Sequence, residues 1–417
     1  MRISSNLLFQ TGLNSMNAQQ SDLMHLYQQI GSGQRMVTPS DDPLAAAQAI
    51  NLSQSQAQNA RFNENRSVAM QNLGVEDNTL SSVVTLMQNI KTTMIEAGNG
   101  TMSDADRMTL STVLTSARDT LLGLANSTDG NGQYLFSGSR GDVVPFDNNG
   151  NYQGDARQRN IQIDQTRQLS SSDIGSDVFS RVSPGSNSYL TGAAGTNGGT
   201  GVIGTPAIIN AGEVKKGYTF EVVFTSDTEY RIIPTSNNAD PAAPVPLIIP
   251  GVINPDDKSG QLLIPGYGLQ VKFSGQPVAG DSFTIEPAES TDMNVFQTMQ
   301  NMIDALAGAQ GAGSAEDQAK AQANFQNVLA NSMQRMDLNY DNVLTVQSSV
   351  GTRMNEIDAV KANGALRHVG VTGELSRLED LDYYTTTAQL QLRNSALQAA
   401  MMAFVKIQQT TLLNIGR

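Results

Sequence analysis

The chain has 417 residues, a formal charge of −13, two histidines and neither cysteine nor tryptophan. That acidity excludes nucleic acid or an anionic membrane surface as the main partner, because both repel it. The missing thiols exclude disulfides, thiol catalysis and cysteine-ligated metal.

No segment approaches the roughly 18 consecutive apolar residues of a membrane span. The opening MRISSNLLFQTGL also lacks the apolar run of a general secretory signal. From Phe9, the residues Phe9, Leu13, Met16, Gln20, Leu23, Tyr27 and Ile30 step by four and three. This is a heptad stripe with one polar member, and it predicts an amphipathic helix. The stretch GSGQRMVTPSDDPLAAA, Gly31 to Ala47, then interrupts the period. Its paired acids could serve acid–base chemistry or a divalent cation. Helix initiation is the simpler physics: an acid caps free N–H groups, Pro43 takes the first helical position, and alanines follow. Gly31, Gly33, Pro39, Asp41, Asp42 and Pro43 therefore read as a hinge and a helix cap.

A second helix is expected from Pro43 to about Ala97, roughly 80 Å long at about 1.5 Å per residue. Its stripe is Leu73, Leu80, Val83, Met87, Ile90, Met94 and Ala97. A third opens at Ser103, with Asp106 completing a capping box, and ends near Asn126. The character then changes. YLFSGSRGDVVPF, YQGDARQRNIQID and SDVFSRV read as strands between Gly, Asn and Asp turns. From Pro184 to about Pro287 the runs YTFEVVF, YRIIP, QLLIP and LQVKF predict an all-β insert.

After Asp292 the helical period returns through Leu329, Met333, Met336, Tyr340, Val343, Gln347, Val350, Met354 and Ile357. Gly364, Gly370 and Gly373 are expected to break it. A last helix should run from about Leu375 to Leu413, with Leu390, Leu397, Ala400, Phe404 and Ile407 on one face. Met401, Val405, Leu412 and Ile415 widen that face. The expected fold class is α+β: a long antiparallel coiled coil or bundle of N- and C-terminal segments with a central β-rich insert. The expected divisions are 1–42 terminal helix and hinge, 43–130 helical rod, 131–180 β-hairpin region, 181–290 β-rich outer domain, 291–370 helical rod and 371–417 terminal helix.

Leu80, Met87, Ile90, Met336, Val343, Val350 and Ile357 are the expected rod core. The terminal stripes differ, because ordering each residue costs at least ~1 kcal/mol. A helical hydrogen bond returns ~1 kcal/mol at best, so burial must decide. The first helix has no sequence neighbour to shelter it, and its best partner is the other end of the chain. Leu13, Met16, Leu23, Ile30, Leu390, Leu397, Met401, Phe404, Ile407 and Leu412 therefore read as contacts to other molecules, and both ends should fold on association. The seventeen methionines read as core fillers, with adaptable subunit contacts second.

Catalysis has little support. His25 lies on the outer face of a helix and His368 among glycines. GLNSMNA is no nucleophile elbow. GTNGGTG lacks the lysine of a phosphate loop and reads as a linker. Arg140-Gly141-Asp142 matches an adhesion tripeptide but reads as a chance hairpin tip. The Asn65-Arg66-Ser67 and Asn126-Ser127-Thr128 sequons carry no meaning without a eukaryotic secretory route. No cofactor or metal is expected.

The helical ends and the start of the middle, roughly 1–180 and 290–417, resemble the flagellin-like axial proteins of bacterial flagella. Within that family the likeness is to the members at the junction between hook and filament. Five pieces carry it in order: GSGQRMVTPSDDPLAAA, YLFSGS with Pro145-Phe146, VGTRMNEI, LEDLDYYTTTAQLQ and LQAAMMAFVKIQQTTLL. Flagellin is the nearest rival; Pro43 after Asp42 and the MRIS opening favour the junction. GQPVAGDSFTIEP resembles a segment of other hook-associated proteins, whereas NNADPAAPVPLIIP matches no family pattern. The resemblance implies a non-enzymatic structural subunit, secreted unfolded by the flagellar type III apparatus and placed outside the cell. Its implied partners are a neighbouring hook-associated junction protein, flagellin, copies of itself and a cytoplasmic export chaperone. A minor flagellin, or an adhesin presenting the β insert, are the alternatives.

Overall fold

The computed structural model describes residues 5–236, 248–253, 259–308 and 314–413. They fall into two compact units: one from 1–65 and 358–417, the other from 66–357. Seven helices are seen among the described residues: α1 Ser5–Ser32, α2 Pro43–Ala97, α3 Asp104–Ala125, α4 Gly175–Phe179, α5 Val295–Gly308, α6 Ala315–Glu379 and α7 Tyr383–Leu413. The α+β class is as expected, with helical termini flanking a β-containing middle. No described helix is long and apolar enough to cross a membrane.

In unit 66–357, α2 and α6 run antiparallel. Lys91 pairs with Asp337 at 2.6 Å, Gln88 donates to the Tyr340 hydroxyl at 2.7 Å, and Gln347 donates to Asp77 at 3.1 Å. Their stripes are closed: Leu80, Met87, Ile90, Met336, Val343, Val350 and Ile357 are all buried. α3 packs on α5, where the Ser111 hydroxyl donates to the Ile303 carbonyl and Arg118 Nη2 reaches the Asn148 carbonyl at 3.0 Å. Ser103 and Asp106 form the capping box of α3, and Asn126 closes its far end.

The middle departs from the reading of continuous strands. DGNGQY at Asp129 and DNNGNY at Asp147 form the same turn twice: the aspartate carboxylate accepts two backbone N–H groups while a left-handed glycine closes the loop. SDVFSRV is not a strand; Gly175–Phe179 coils into the short helix α4. The reason is packing. Phe136, Phe146, Phe179 and Phe296 meet in one aromatic cluster, with Phe136–Phe179 edge-to-face at 5.5 Å. Burying an aromatic from each of four segments outweighs local strand preference. At Gly150, φ is +83° and a Cβ would lie 2.3 Å from the Cβ of Phe296, so only glycine fits. β1 Asn160–Asp164 and β2 Arg167–Ser170 form a small antiparallel hairpin.

The insert is a sandwich of β3 Tyr189–Ala193, β4 Val202–Ile203, β5 Ala207–Ile208, β6 Tyr218–Phe224, β7 Glu229–Ser236, β8 Ile249–Val252, β9 Gly260–Ile264, β10 Leu269–Ser274 and β11 Ser282–Pro287. One sheet has the order β3-β11-β6-β7-β8. In the other, β10 pairs with β9 on one side and with β4 and β5 on the other. YTFEVVF alternates as its sequence demands, with Phe220, Val222 and Phe224 turned into a core shared with Leu262, Ile264, Val271 and Phe273. GTNGGTG is no free linker. The amides of Gly198 and Gly199 close on the buried Asp281 carboxylate, which also takes the Val278 N–H. NNADPAAPVPLIIP lies mostly outside the described residues.

The expected break at Gly364, Gly370 and Gly373 is absent: α6 runs through all three as one helix of 65 residues. Each glycine costs only about 1 kcal/mol inside a helix. In unit 1–65/358–417, Asn59 Nδ2 also donates to the Gly364 carbonyl at 2.9 Å and Gln56 to the Thr372 hydroxyl at 3.3 Å. The stop falls at Asp380–Asp382 instead, and α7 begins at Tyr383 rather than Leu375.

Met87→Ala should lower the stability of unit 66–357 by about 2–5 kcal/mol in urea unfolding. Ile95→Ala, on the exposed side of the same helix, should change it by about 0.5 kcal/mol or less.

Candidate hinge and assembly surface

Within unit 1–65/358–417, α1 packs along α7. The Phe9 and Phe404 rings pack at a tilt of 41° with centroids 5.1 Å apart, and a Cβ at Gly12 would touch the Phe404 ring at 3.0 Å. Asp22 pairs with Arg393 at 3.3 Å. The connection after α1 meets the connection before α7. Arg35 N–H donates to the Glu379 carbonyl at 2.7 Å, Leu381 N–H donates to the Gly33 carbonyl at 3.0 Å, and Arg35 Nε reaches the Leu378 carbonyl at 3.0 Å. Two helix breaks are thus stitched together by backbone hydrogen bonds. Gly33 has φ +71° and lies under the Tyr383 hydroxyl, 3.0 Å from where a Cβ would stand.

The two acids of the opening motif have separate tasks. Asp41 Oδ2 accepts the N–H groups of Val37 and Thr38, each at 2.9 Å, and folds the turn. Asp42 Oδ1 accepts the Ala45 N–H at 3.0 Å and caps α2, with Pro43 first in the helix. Donation from the Thr38 backbone, helped by His25 and the Thr38 hydroxyl, holds the Asp41 carboxyl down to about 2. His25 Nε2 lies 3.2 Å from Asp41 Oδ2, and Asp42 is 3.5 Å from Arg35. At the second break Asp382 Oδ1 accepts the N–H groups of Tyr384 and Thr385 and caps α7 in the same manner. Gly31 lies in the last turn of α1, and Pro39 is in the exposed turn.

Among the stripe residues, Leu23 is buried at 7% exposure, while Met16, Ile30, Leu390, Leu397 and Phe404 are half-buried. Leu13 and Met401 are exposed. The side chains of Ile407 and Leu412, and all of Ile415, lie outside the described residues. The periodic reading missed a second set. Leu44 is 71% exposed, Leu366 73%, Val369 70% and Tyr384 84%, and Met24, Ile50, Leu392 and Met402 are also bare. These positions stand off the heptad stripes. Their signal was a helix apolar on more than one side, which marks burial on more than one side. Such an accumulation is unusual for a monomer surface and characteristic of an interface.

Residues 3–140 match the family model described as the bacterial flagellin N-terminal helical region. The whole chain aligns with flagellar hook-associated protein 3 of Escherichia coli strain K12, 27% identical over 418 positions and covering all of both proteins. Its resemblance is to the hook-associated proteins. The counterpart from Salmonella typhimurium is 26% identical over the same length. The crystal structure of FlgL from Xanthomonas campestris superposes with TM-score 0.64 at 27% identity, covering 78% of this chain and 99% of that one. Hook-associated protein-3 from Legionella pneumophila gives 0.63 at 26%, covering 78% and 98%. The flagellin-like likeness expected from the five sequence pieces is therefore shown.

Because its pKa is depressed in the fold, Asp41 stabilises the turn fully above 3.8 and loses that effect as pH falls through about 2. Amide protection of residues 33–42 should fall over that window. In Asp41→Asn it should be low at every pH and show no such step.

Proposed function

We propose that this chain is a structural subunit, without enzymatic activity, that joins the flagellar hook to the flagellin filament. The observation that carries the reading is the apolar surface of unit 1–65/358–417. More than a dozen large apolar side chains there are at least one-third exposed, from Leu7 and Phe9 on α1 to Met402 and Val405 on α7. At ~1.5–3 kcal/mol for full burial of each, covering them yields on the order of ten kcal/mol. A lattice of terminal helices would supply that cover, and the full-length relatives carry the name of a flagellar hook-associated protein, which supports a flagellar setting for it.

The hinge residues Gly31, Gly33, Pro39, Asp41, Asp42 and Pro43 let the α1–α7 pair take its place among neighbours. Leu13, Met16, Leu23, Ile30, Leu390, Leu397, Met401, Phe404, Ile407 and Leu412 contact those neighbours: a hook-associated junction protein, flagellin and copies of this chain. The rod core from Leu80 to Ile357 keeps unit 66–357 folded meanwhile. Before export the same terminal surface is held by a cytoplasmic chaperone, and after export the protein stands outside the cell. A minor flagellin has less support, since the full-length relatives carry the name of hook-associated protein 3. The adhesin reading rests on Arg140 and Asp142, both exposed on a tight turn closed by the Val143 N–H. That turn lies in the 131–180 region, outside the β insert that an adhesin would present.

Deleting 385–417 should leave a soluble chain whose unit 66–357 unfolds at the wild-type midpoint. Cells carrying only that version should build hooks without filaments and shed flagellin. Normal motility in those cells would exclude the proposed role.

A further inference from the structure

Glu76 is an ionisable residue that neither the hinge nor the terminal surface uses. It stands on α2 inside unit 66–357, with its side chain wholly enclosed. Its Oε1 accepts the Asp173 N–H at 3.0 Å, while Oε2 has no hydrogen-bond partner among the described residues. Two charges face it. One is the Asp173 carboxylate, on the segment that follows β2; the other is the Arg353 guanidinium from α6. That guanidinium is already committed: Nη2 binds Asp173 and Nη1 donates to the Ser170 carbonyl at 3.2 Å. The neighbouring charges are engaged elsewhere, Arg167 with Glu356 and Asp77 with Gln347.

Two carboxyls thus share one cation that is bound to only one of them. A buried carboxylate with no cation of its own and a bare oxygen is costly, and it sheds that cost by keeping its proton. Burial first, then repulsion from Asp173, pushes the Glu76 carboxyl well above the usual carboxylate range. The structure it fastens is definite. Ser171 N–H donates to the Arg159 carbonyl, and Arg66 of α2 donates to the Ile163 carbonyl at 2.9 Å, so the 158–174 segment lies against α2 and α6.

We propose that Glu76 is a proton-operated latch: as a neutral acid it clamps the 158–174 segment onto α2 and α6, and on ionising it lets that segment go. The sign follows from linkage. The folded chain holds a proton that the unfolded chain gives up near 4.5. Stability is therefore complete below that value and drops about tenfold in folding constant per pH unit until the folded group also titrates.

The test uses the full-length chain, with urea midpoints and amide exchange taken from about pH 5 to about pH 9. In the wild type the midpoint should fall with pH, and the 158–174 amides should lose protection ahead of α2 and α6. Glu76→Gln, isosteric and uncharged, should flatten the profile and keep those amides protected at the alkaline end. Infrared difference spectra should show a protonated-acid carbonyl band at neutral pH that is missing from the variant. An unchanged pH slope in Glu76→Gln overturns the latch. If the variant does not fold, the wild-type spectrum decides alone, and absence of the acid band overturns it.

Discussion

Two helices packed on each other can each hide one stripe and no more. That limit governs the terminal unit, where α1 and α7 face one another yet carry apolar side chains around most of their circumference. The Phe9–Phe404 contact and buried Leu23 use up the shared seam. Leu392, Met402 and Tyr384 remain in water. Such a pair is held by a thin margin, since helical hydrogen bonds barely offset the ordering of the chain.

Unit 66–357 solves the same problem from inside. There the stripes of α2 and α6 are covered, α3 packs on α5, and the aromatic cluster ties the two DxNG turns and α4 to α5. Parts of its polar interior are closed just as tightly, with Asp281 wrapped by loop amides and Arg353 held by Asp173. Asn339 and Glu76, both fully buried, keep side-chain atoms without a hydrogen-bond partner among the described residues, and of these two Glu76 is the one that can ionise. A contrast between a self-sufficient body and an unfinished end suits a subunit that must stay folded in one part while another part finds neighbours.

Much of this was legible in the residues, and the failures have physical causes. Helix starts could be read because caps are local: Ser103 with Asp106, and Asp42 before Pro43, act over three or four residues. Period two in YTFEVVF gave β6 for the same reason. The glycines of α6 misled because a local cost near 1 kcal/mol was set against a helix of 65 residues. The true stop was written in Asp382, an N-cap of the same kind as Asp42, and could have been found. α4 could not, since SDVF coils only because Phe179 meets Phe136 and Phe146, a contact no local pattern reveals. The joint was half legible. Gly33 and Asp41 marked one break, but its pairing with Glu379 and Leu381 spans nearly the whole chain.

The sharpest measurement is hydrogen exchange along the purified monomer and again after incorporation into a filament-capped junction. Amides of 5–32 and 383–413 should exchange orders of magnitude faster than those of the α2 and α6 segments within 66–357, and become protected only on incorporation. Terminal helices protected in the lone monomer as strongly as that core would contradict this expectation.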